Sequence, residues 1–430
     1  LLAESITQVD DTHYDVKIRE GIRFHNGEEM TAEDVAYTYQ RLWDPATESP
    51  RATMGAIQGK KTAEAIDRYT VRFTTERSGG SGNEAVRGLS LASQEILQKS
   101  TFETLSREEA RTAPPIGVGP FKFVEWVPDQ RVVMEANLDY WQGVPGVERI
   151  IWRTIPEEAT RVAELLAGSV DMIYPVTPDF VPQLRSAGMK LEIVPGTIMR
   201  MLQMNVREGS PFADPEVRRA MNMAIDKQAI VDNIYQGLAV VQDQVAGVGM
   251  EGRDDSYHPF KYDPEAARPI LSKVTQPIDL YVEAQWQLAA EAIAEQLRGY
   301  GMNVNTVVME SAAMVKLGED GDFDLALGGA GYGGGNFDSA YYNNQFQCVR
   351  LETNRIRTGF CDPELDKKAE AMFADTNLET RHQKQQEIVR LLTEEYVPWV
   401  PLFGEAEVWA TQPYVNGFVG SSAGQMFDLW

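Results

Sequence analysis

Cysteine and histidine are scarce. The 430 residues include two cysteines, Cys348 and Cys361, and four histidines, His13, His25, His258 and His382. These six residues nowhere reach the spacing of a zinc site, so no metal centre is expected. Long apolar runs are missing too: none approaches the roughly 18–20 residues that a membrane span needs. Positive charge is in deficit, with 40 Lys and Arg against 64 Asp and Glu and a formal charge of −24. Most of such a surface repels polyphosphate, which argues against a nucleic-acid partner. The acidity is read as a solubility feature in preference to selection for a cationic ligand.

What is present is ordinary for a globular protein, 43% hydrophobic and 24% charged. A chain of 430 residues exceeds what one core usually holds, so two or three domains are expected. The cysteines bracket the short stretch QCVRLETNRIRTGFC. In an oxidising compartment a disulfide there would stabilise the fold by about 3 kcal/mol. That pairing is favoured over two unrelated core thiols.

The most informative stretch runs from Gly21 to Arg41, GIRFHNGEEMTAEDVAYTYQR. Before it, Tyr14, Val16 and Ile18 alternate with Asp15, Lys17 and Arg19, the period of a half-buried strand. Asn26-Gly27 tolerates positive φ and supplies a sharp turn. A helix is predicted to follow, with Thr31 as N-cap, Asp34 completing a capping box and Met30 stapled to Val35. Ala32, Val35, Ala36 and Tyr39 form its buried stripe, and Asp44-Pro45 ends it.

Taken as text, IREGIRFHNGEEMTAEDVAYTYQRLWDP closely resembles the signature segment of the extracytoplasmic solute-binding proteins of the oligopeptide, dipeptide and nickel importer class. Two later stretches fit the same resemblance. APPIGVGPFKFVEWVPDQRVVMEANLDYW, residues 113–141, holds Gly117, Gly119, Pro120 and Phe121 where the family has its Gly-x-Gly-Pro-Phe/Tyr turn. PFADPEVRRAMNMAIDKQAIVDNIYQG, from Pro211, reads as two capped helices started by Asp214-Pro215 and Asp226.

The resemblance implies an α/β, bilobal periplasmic-binding-protein fold, its two mixed-sheet lobes joined by a two-strand hinge, with a peripheral subdomain in the first lobe. On that template residues 1–112 are the peripheral subdomain, 113–205 the first-lobe core, 206–400 the second lobe and 401–430 the return to the first lobe. Leu1-Leu2-Ala3-Glu4-Ser5 reads as the middle of a domain, and further first-lobe strands are expected upstream. The implied role is the substrate-binding component of an ABC importer, which closes on a small ligand and delivers it to the permease. The implied place is periplasmic or otherwise extracytoplasmic, with a lipid anchor as an option. A monomer without cofactor is expected.

Along the chain, strand pairs are predicted at residues 5–19 and 121–136 and a further strand at 69–74. Arg149 to Thr154, a helix carrying Val162, Leu165 and Leu166, and Val170 to Tyr174 read as a β-α-β unit. Asp263 and Asp362 repeat the Asp-Pro helix start. Pro277 to Val282, Leu288 to Tyr300, Met302 to Val308 and Phe323 to Leu327 continue the alternation of strand and helix. Two helices near 363–375 and 379–396 follow. Arg77 to Asn83, rich in Gly and Ser, reads as a flexible loop.

Two motifs are discounted. Gly329-Ala330-Gly331-Tyr332-Gly333-Gly334 satisfies G-x-G-x-x-G, yet no amphipathic helix opens after it, as a dinucleotide fold requires. Gly420-Ser421-Ser422-Ala423-Gly424 satisfies G-x-S-x-G, but all four histidines precede it and a Ser, acid, His order cannot be completed. The glycine stretch fits a ligand loop, because glycine lets backbone amides approach a ligand while Tyr332, Phe337, Tyr341, Tyr342, Asn336 and Asp338 supply ring faces and hydrogen bonds. A surface turn is the alternative. The resemblance adds Trp286 as a ligand-facing position, with Gln285 and Glu283 as weaker candidates; a structural tryptophan is its alternative.

Relatives that grip a free peptide backbone tend to carry an Arg near the Trp286 position and an Asp near Gly333. Neither charge stands at the matching places here. A zwitterion in a closed site needs both partners, so a simple dipeptide is disfavoured and a peptide-like, opine-like or sugar-conjugate ligand competes. Four histidines give direct nickel binding little support. A ligand sensor feeding a receptor and a direct oligopeptide binder are the other readings, separated by which membrane partner docks and by which ligand is bound. No enzyme is expected, since no nucleophile, base and acid can be assembled.

Overall fold

The computed structural model describes residues 2–10, 12–47, 61–75, 95–248, 250, 252–330, 346–348, 358–375, 377–420 and 427–428. They form two compact units. The first holds the described residues up to Ser169 together with Tyr414–Val419 and residues 427–428; the second holds those from Val170 to Pro413 with Gly420.

In the first unit, β1 (Ala3–Gln8) and β2 (His13–Ile18) form an antiparallel pair, joined by β3 (Lys61–Ala65) and β4 (Thr70–Thr75) in the order β1-β2-β4-β3. The alternation read from sequence is the observed one: Tyr14, Val16 and Ile18 are buried. They pack with Met30, Val35, Ala36 and Tyr39 of the segment around α1 (Ala32–Trp43). The Asp34 carboxylate turns back to accept the Thr31 backbone N–H at 2.8 Å and its hydroxyl at 3.1 Å. Met30 is wholly buried beside Val35, as a hydrophobic staple requires.

His25 ties this segment to the glycine turn that follows it by more than ninety residues. Its Nδ1 accepts from the Gly117 N–H at 3.3 Å and its Nε2 donates to the Gly119 carbonyl at 3.0 Å. That pattern requires the neutral ring, and burial holds its pKa below the usual histidine value. Beyond the turn, β5 (Phe121–Val127), β6 (Arg131–Ala136) and β7 (Arg149–Arg153) make a separate antiparallel sheet.

The β-α-β unit read across residues 149–174 does not form. The helix exists as α2 (Glu158–Leu166), burying Val162 and Leu165, but Leu166 is exposed. The returning strand shrinks to β8 (Met172–Ile173), which pairs antiparallel with a strand of the second unit's sheet and not with β7. Alternation of strand and helix says nothing about which sheet a strand joins, and here the chain changes unit after Ser169.

The second unit is a mixed sheet covered on both faces. Its strands are β9 (Lys190–Met204), β10 (Ala239–Val241), β11 (Pro277–Val282), β12 (Asn303–Val308), β13 (Leu325–Ala330) and β14 (Trp399–Thr411), in the order β10-β14-β9-β13-β11-β12. β11 is parallel to both β12 and β13, while β9 and β14 are long antiparallel partners. On β9, Leu202 and Met204 point into one core and Met199 and Met201 into another, as alternation dictates. The first core is closed by α3 (Pro215–Ala224), α4 (Lys227–Asn233), α5 (Pro264–Leu271) and α6 (Gln287–Arg298). A further helix, α7 (Ser311–Asp320), crosses from β12 to β13, and α8 (Pro363–Phe373) and α9 (Leu378–Arg390) border the second core.

The Asp-Pro starts cap as expected. Asp214, Asp263 and Asp362 each accept a backbone N–H of the first turn, and Asp226 does so for α4. Cys348 and Cys361 form a disulfide with Cα atoms 4.8 Å apart.

Candidate functional site

Parallel strands place the segments that follow them at one edge of a sheet, the edge where α/β proteins gather ligand-binding groups. In the second unit that edge holds Trp286, which follows β11 in a short 3₁₀ turn and starts α6, and the Gly329-Ala330 end of β13. Because β9 runs antiparallel to β13, its residues meet them there: Arg200 lies in register with Gly329 and Met199 with Ala330. On the other side of β9, Arg200 is in register with Phe403 of β14.

The Arg200 guanidinium sits over the Trp286 ring, 3.8 Å from its centroid. Its Nε donates to Glu405 Oε1 at 2.7 Å. The Arg200 side chain is only 12% exposed and that of Glu405 28%, so the pair is partly withdrawn from solvent. Such a stacked, ion-paired guanidinium is stabilised both by the ring quadrupole and by the carboxylate.

β9–β14 pairing is irregular on both sides of Gly404, between Pro401 and Phe403 and between Gly404 and Ala406. A Cβ on Gly196 would stand 1.9 Å from the Glu405 carbonyl oxygen, so glycine is required where β9 passes this irregularity. Tyr235 packs on Phe403 with ring centroids 4.6 Å apart. Burial, with the neighbouring Glu405 carboxylate, pushes its phenol far above the usual range.

Of the positions read from sequence, Trp286, Gly329 and Ala330 come together at this edge. Gln285 is exposed beside it, its Nε2 donating to Glu283 Oε2 at 3.3 Å. Gly331, Tyr332, Gly333, Asn336 and Asp338, with Phe337, Tyr341 and Tyr342, lie outside the described residues. Sequence reasoning missed Arg200 and Glu405. It looked for an arginine near Trp286 in the chain, whereas the fold supplies one from a strand 86 positions earlier. The signal was a lone cation inside the apolar run IMRMLQM. Among the described residues no group of acidic, histidine or cysteine side chains could hold a metal, and no helix is long and apolar enough to cross a membrane.

Solved structures with this fold include periplasmic binding proteins. The DppA protein of Helicobacter pylori, an ABC transporter-associated binding protein solved with the peptide STSA, superposes with a TM-score of 0.81 at 22% identity, covering 99% of this chain and 86% of its own. AgaA of A. tumefaciens R10, solved with agropinic acid, gives a TM-score of 0.77 at 24% identity over 97% and 85%. In sequence, the heme-binding protein A of Haemophilus influenzae is 26% identical over 98% of this chain and 82% of its own length. The profile of the bacterial extracellular solute-binding proteins, family 5 (middle region), matches residues 1–350. The chain belongs to that family. Its role is that of a substrate-binding component of an ABC importer, and the mixed α/β periplasmic-binding-protein fold implied by the signature segment is the fold it has.

Proposed function

We propose that this chain captures a small polar ligand, peptide-like, opine-like or a sugar conjugate, and presents it in a closed form to the transmembrane subunits of an importer. Trp286, Gln285 and the glycine segment Gly329, Ala330, Gly331, Tyr332, Gly333, Asn336 and Asp338 supply its second-lobe contacts, joined by Arg200 and Glu405. The observation that carries this reading is the gathering of Trp286, Arg200, Glu405 and Gly329 at the strand-end edge of one sheet. An aromatic face, a charged pair and an unobstructed backbone in one place are what a small polar solute needs. Three relatives solved or named with a peptide, agropinic acid and heme support ligand binding and leave the ligand class to this chain's own side chains. No bond chemistry is proposed, and the protein acts as a monomer outside the cytoplasm, free or lipid-anchored.

Native mass spectrometry of the purified protein, with release and identification of any bound small molecule, tests the reading. A peptide series differing by residue masses favours the oligopeptide form; a single opine or conjugate mass favours the specialised one. Turnover of the released molecule would instead mark an enzyme. Trp286→Ala is expected to weaken binding of the identified molecule at least tenfold, and unchanged affinity would remove this edge from the site.

A further inference from the structure

We infer that Arg200 is an anion anchor and that the ligand carries a carboxylate which it grips, an inference that rests on the solute-binding reading above. A guanidinium has five N–H donors. That of Arg200 gives one, from Nε, to Glu405 at 2.7 Å, and makes no other hydrogen bond among the described residues. The side chain is 12% exposed, yet neither Nη atom is among the buried polar atoms that lack a partner, so the Nη end still opens to solvent. Donors held in place and open on one side can take a carboxylate through two parallel charge-assisted bonds.

Three features prepare the group for such a partner. Trp286 supports the guanidinium plane at 3.8 Å, and Glu405 fixes its Nε end, so the Nη end is held in place before a ligand arrives. The strand neighbour in register is Gly329, which has no side chain to obstruct approach. Glu405 compensates the cation in the absence of ligand, which avoids burying a lone charge. The same carboxylate competes with an arriving anion, so Glu405 sets how tightly the anion is held. A neutral hydroxylated solute could use the Nη donors too, but through weaker bonds.

The test uses the full chain and probes that differ in charge at one end: tetraalanine against its C-terminal amide, reduced glutathione against its glycine monoethyl ester, and sucrose as a neutral solute, each followed by calorimetric titration and thermal shift. At least one free acid should bind, with its blocked counterpart about tenfold or more weaker. Arg200→Met should erase that preference. Arg200→Lys keeps the charge and the Glu405 pair but loses the planar fork, and should retain less than a tenth of the affinity. Glu405→Gln removes the competing charge and should tighten the acid severalfold, which a purely structural ion pair would not do. If Arg200→Met fails to fold, the lysine and glutamine variants decide the matter. Equal binding of acid and blocked probe, an acid preference that survives in Arg200→Lys at full strength, or no free acid bound overturns the inference. Sucrose binding without acid binding sinks the anchor alone and leaves the solute-binding role intact. No probe bound, together with no molecule released from the native protein, sinks both.

Discussion

Two arginines of the second unit are both largely buried and are held in opposite ways. Arg218, in α3, donates from Nε to the Tyr396 carbonyl and from Nη1 to the Phe212 and Ala213 carbonyls, all at 2.8 Å. Among the described residues no carboxylate forms a salt bridge with it, and burial pushes its pKa down to about 10, still well above neutrality. Arg200 has, among the described residues, a single side-chain hydrogen bond, to a carboxylate, and an indole face. The first guanidinium ties α3 to the loop before it and to the Leu391–Tyr396 π-helical turn; the second points its remaining donors at the edge where ligand-binding groups gather. A buried cation whose donors end on backbone carbonyls is a brace. One whose donors are left over at a strand-end edge is a receptor for something else.

The largest expected effect would break that contrast if it failed to appear. Arg218→Met orphans three carbonyls and should cost about 3 kcal/mol in urea denaturation, whereas the same change at Arg200 should cost about 1 kcal/mol or less. Comparable losses at the two sites would mean that Arg200 is a brace as well. Gly196→Ala comes next, at about 2 kcal/mol, because its Cβ would collide with the Glu405 backbone. It should also change ligand affinity by displacing Glu405 from Arg200, and calorimetry on the folded variant would reveal a purely structural effect as unchanged affinity.

Lys227 sharpens the comparison from a third direction. It is a buried cation whose side-chain contacts among the described residues are long, to Asn222 Oδ1 at 3.4 Å and the Gln242 carbonyl at 3.3 Å. Burial lowers its pKa to about 8, opposed by the nearby Asp243. Between about pH 8 and its ordinary value of 10.5 the unfolded chain binds the extra proton, so Lys227 makes stability rise with pH across that window. Lys227→Met should flatten that rise and stabilise the protein at pH 7 by about 1–2 kcal/mol, read from denaturation curves at pH 7 and 9. The smallest effect is expected in the first unit. His25 is held below its ordinary 6.5, so the unfolded chain takes up the proton first as pH falls through that value, and stability is lost on the acid side. His25→Gln should blunt that loss; an unaltered acid limb in thermal melts would mean that the clasp to Gly117 and Gly119 does not matter.

What could be read from the sequence was governed by how far apart the interacting residues lie. Thr31, Asp34, Met30 and Val35 act within one turn of helix, and the caps at Asp214, Asp226, Asp263 and Asp362 do the same, so residue type and spacing were enough. Trp286 and Gly329 were legible through the family pattern. Arg200 and Glu405 were not, because they are separated by 205 positions and meet only when β9 pairs with β14. The misread unit at residues 149–174 has the same origin: the local period was right for strand and helix, but sheet membership is decided by partners elsewhere in the chain. Most of the glycine segment lies outside the described residues, so its part in the site stays with the proposal.

The first unit joins two separated stretches of the chain, since Tyr414–Val419 belong with residues more than two hundred positions earlier, while the second is nearly one continuous run. During synthesis, therefore, nearly all of the later-encoded unit is available once β14 is made, and the earlier-encoded one must wait for Tyr414–Val419. A growing chain of this kind keeps the earlier-encoded unit unfinished until Tyr414–Val419 arrive. Premature termination near residue 413 would strip Tyr414–Val419 from the earlier-encoded unit, leaving a nearly complete body attached to an incomplete one that chaperones and proteases would recognise first.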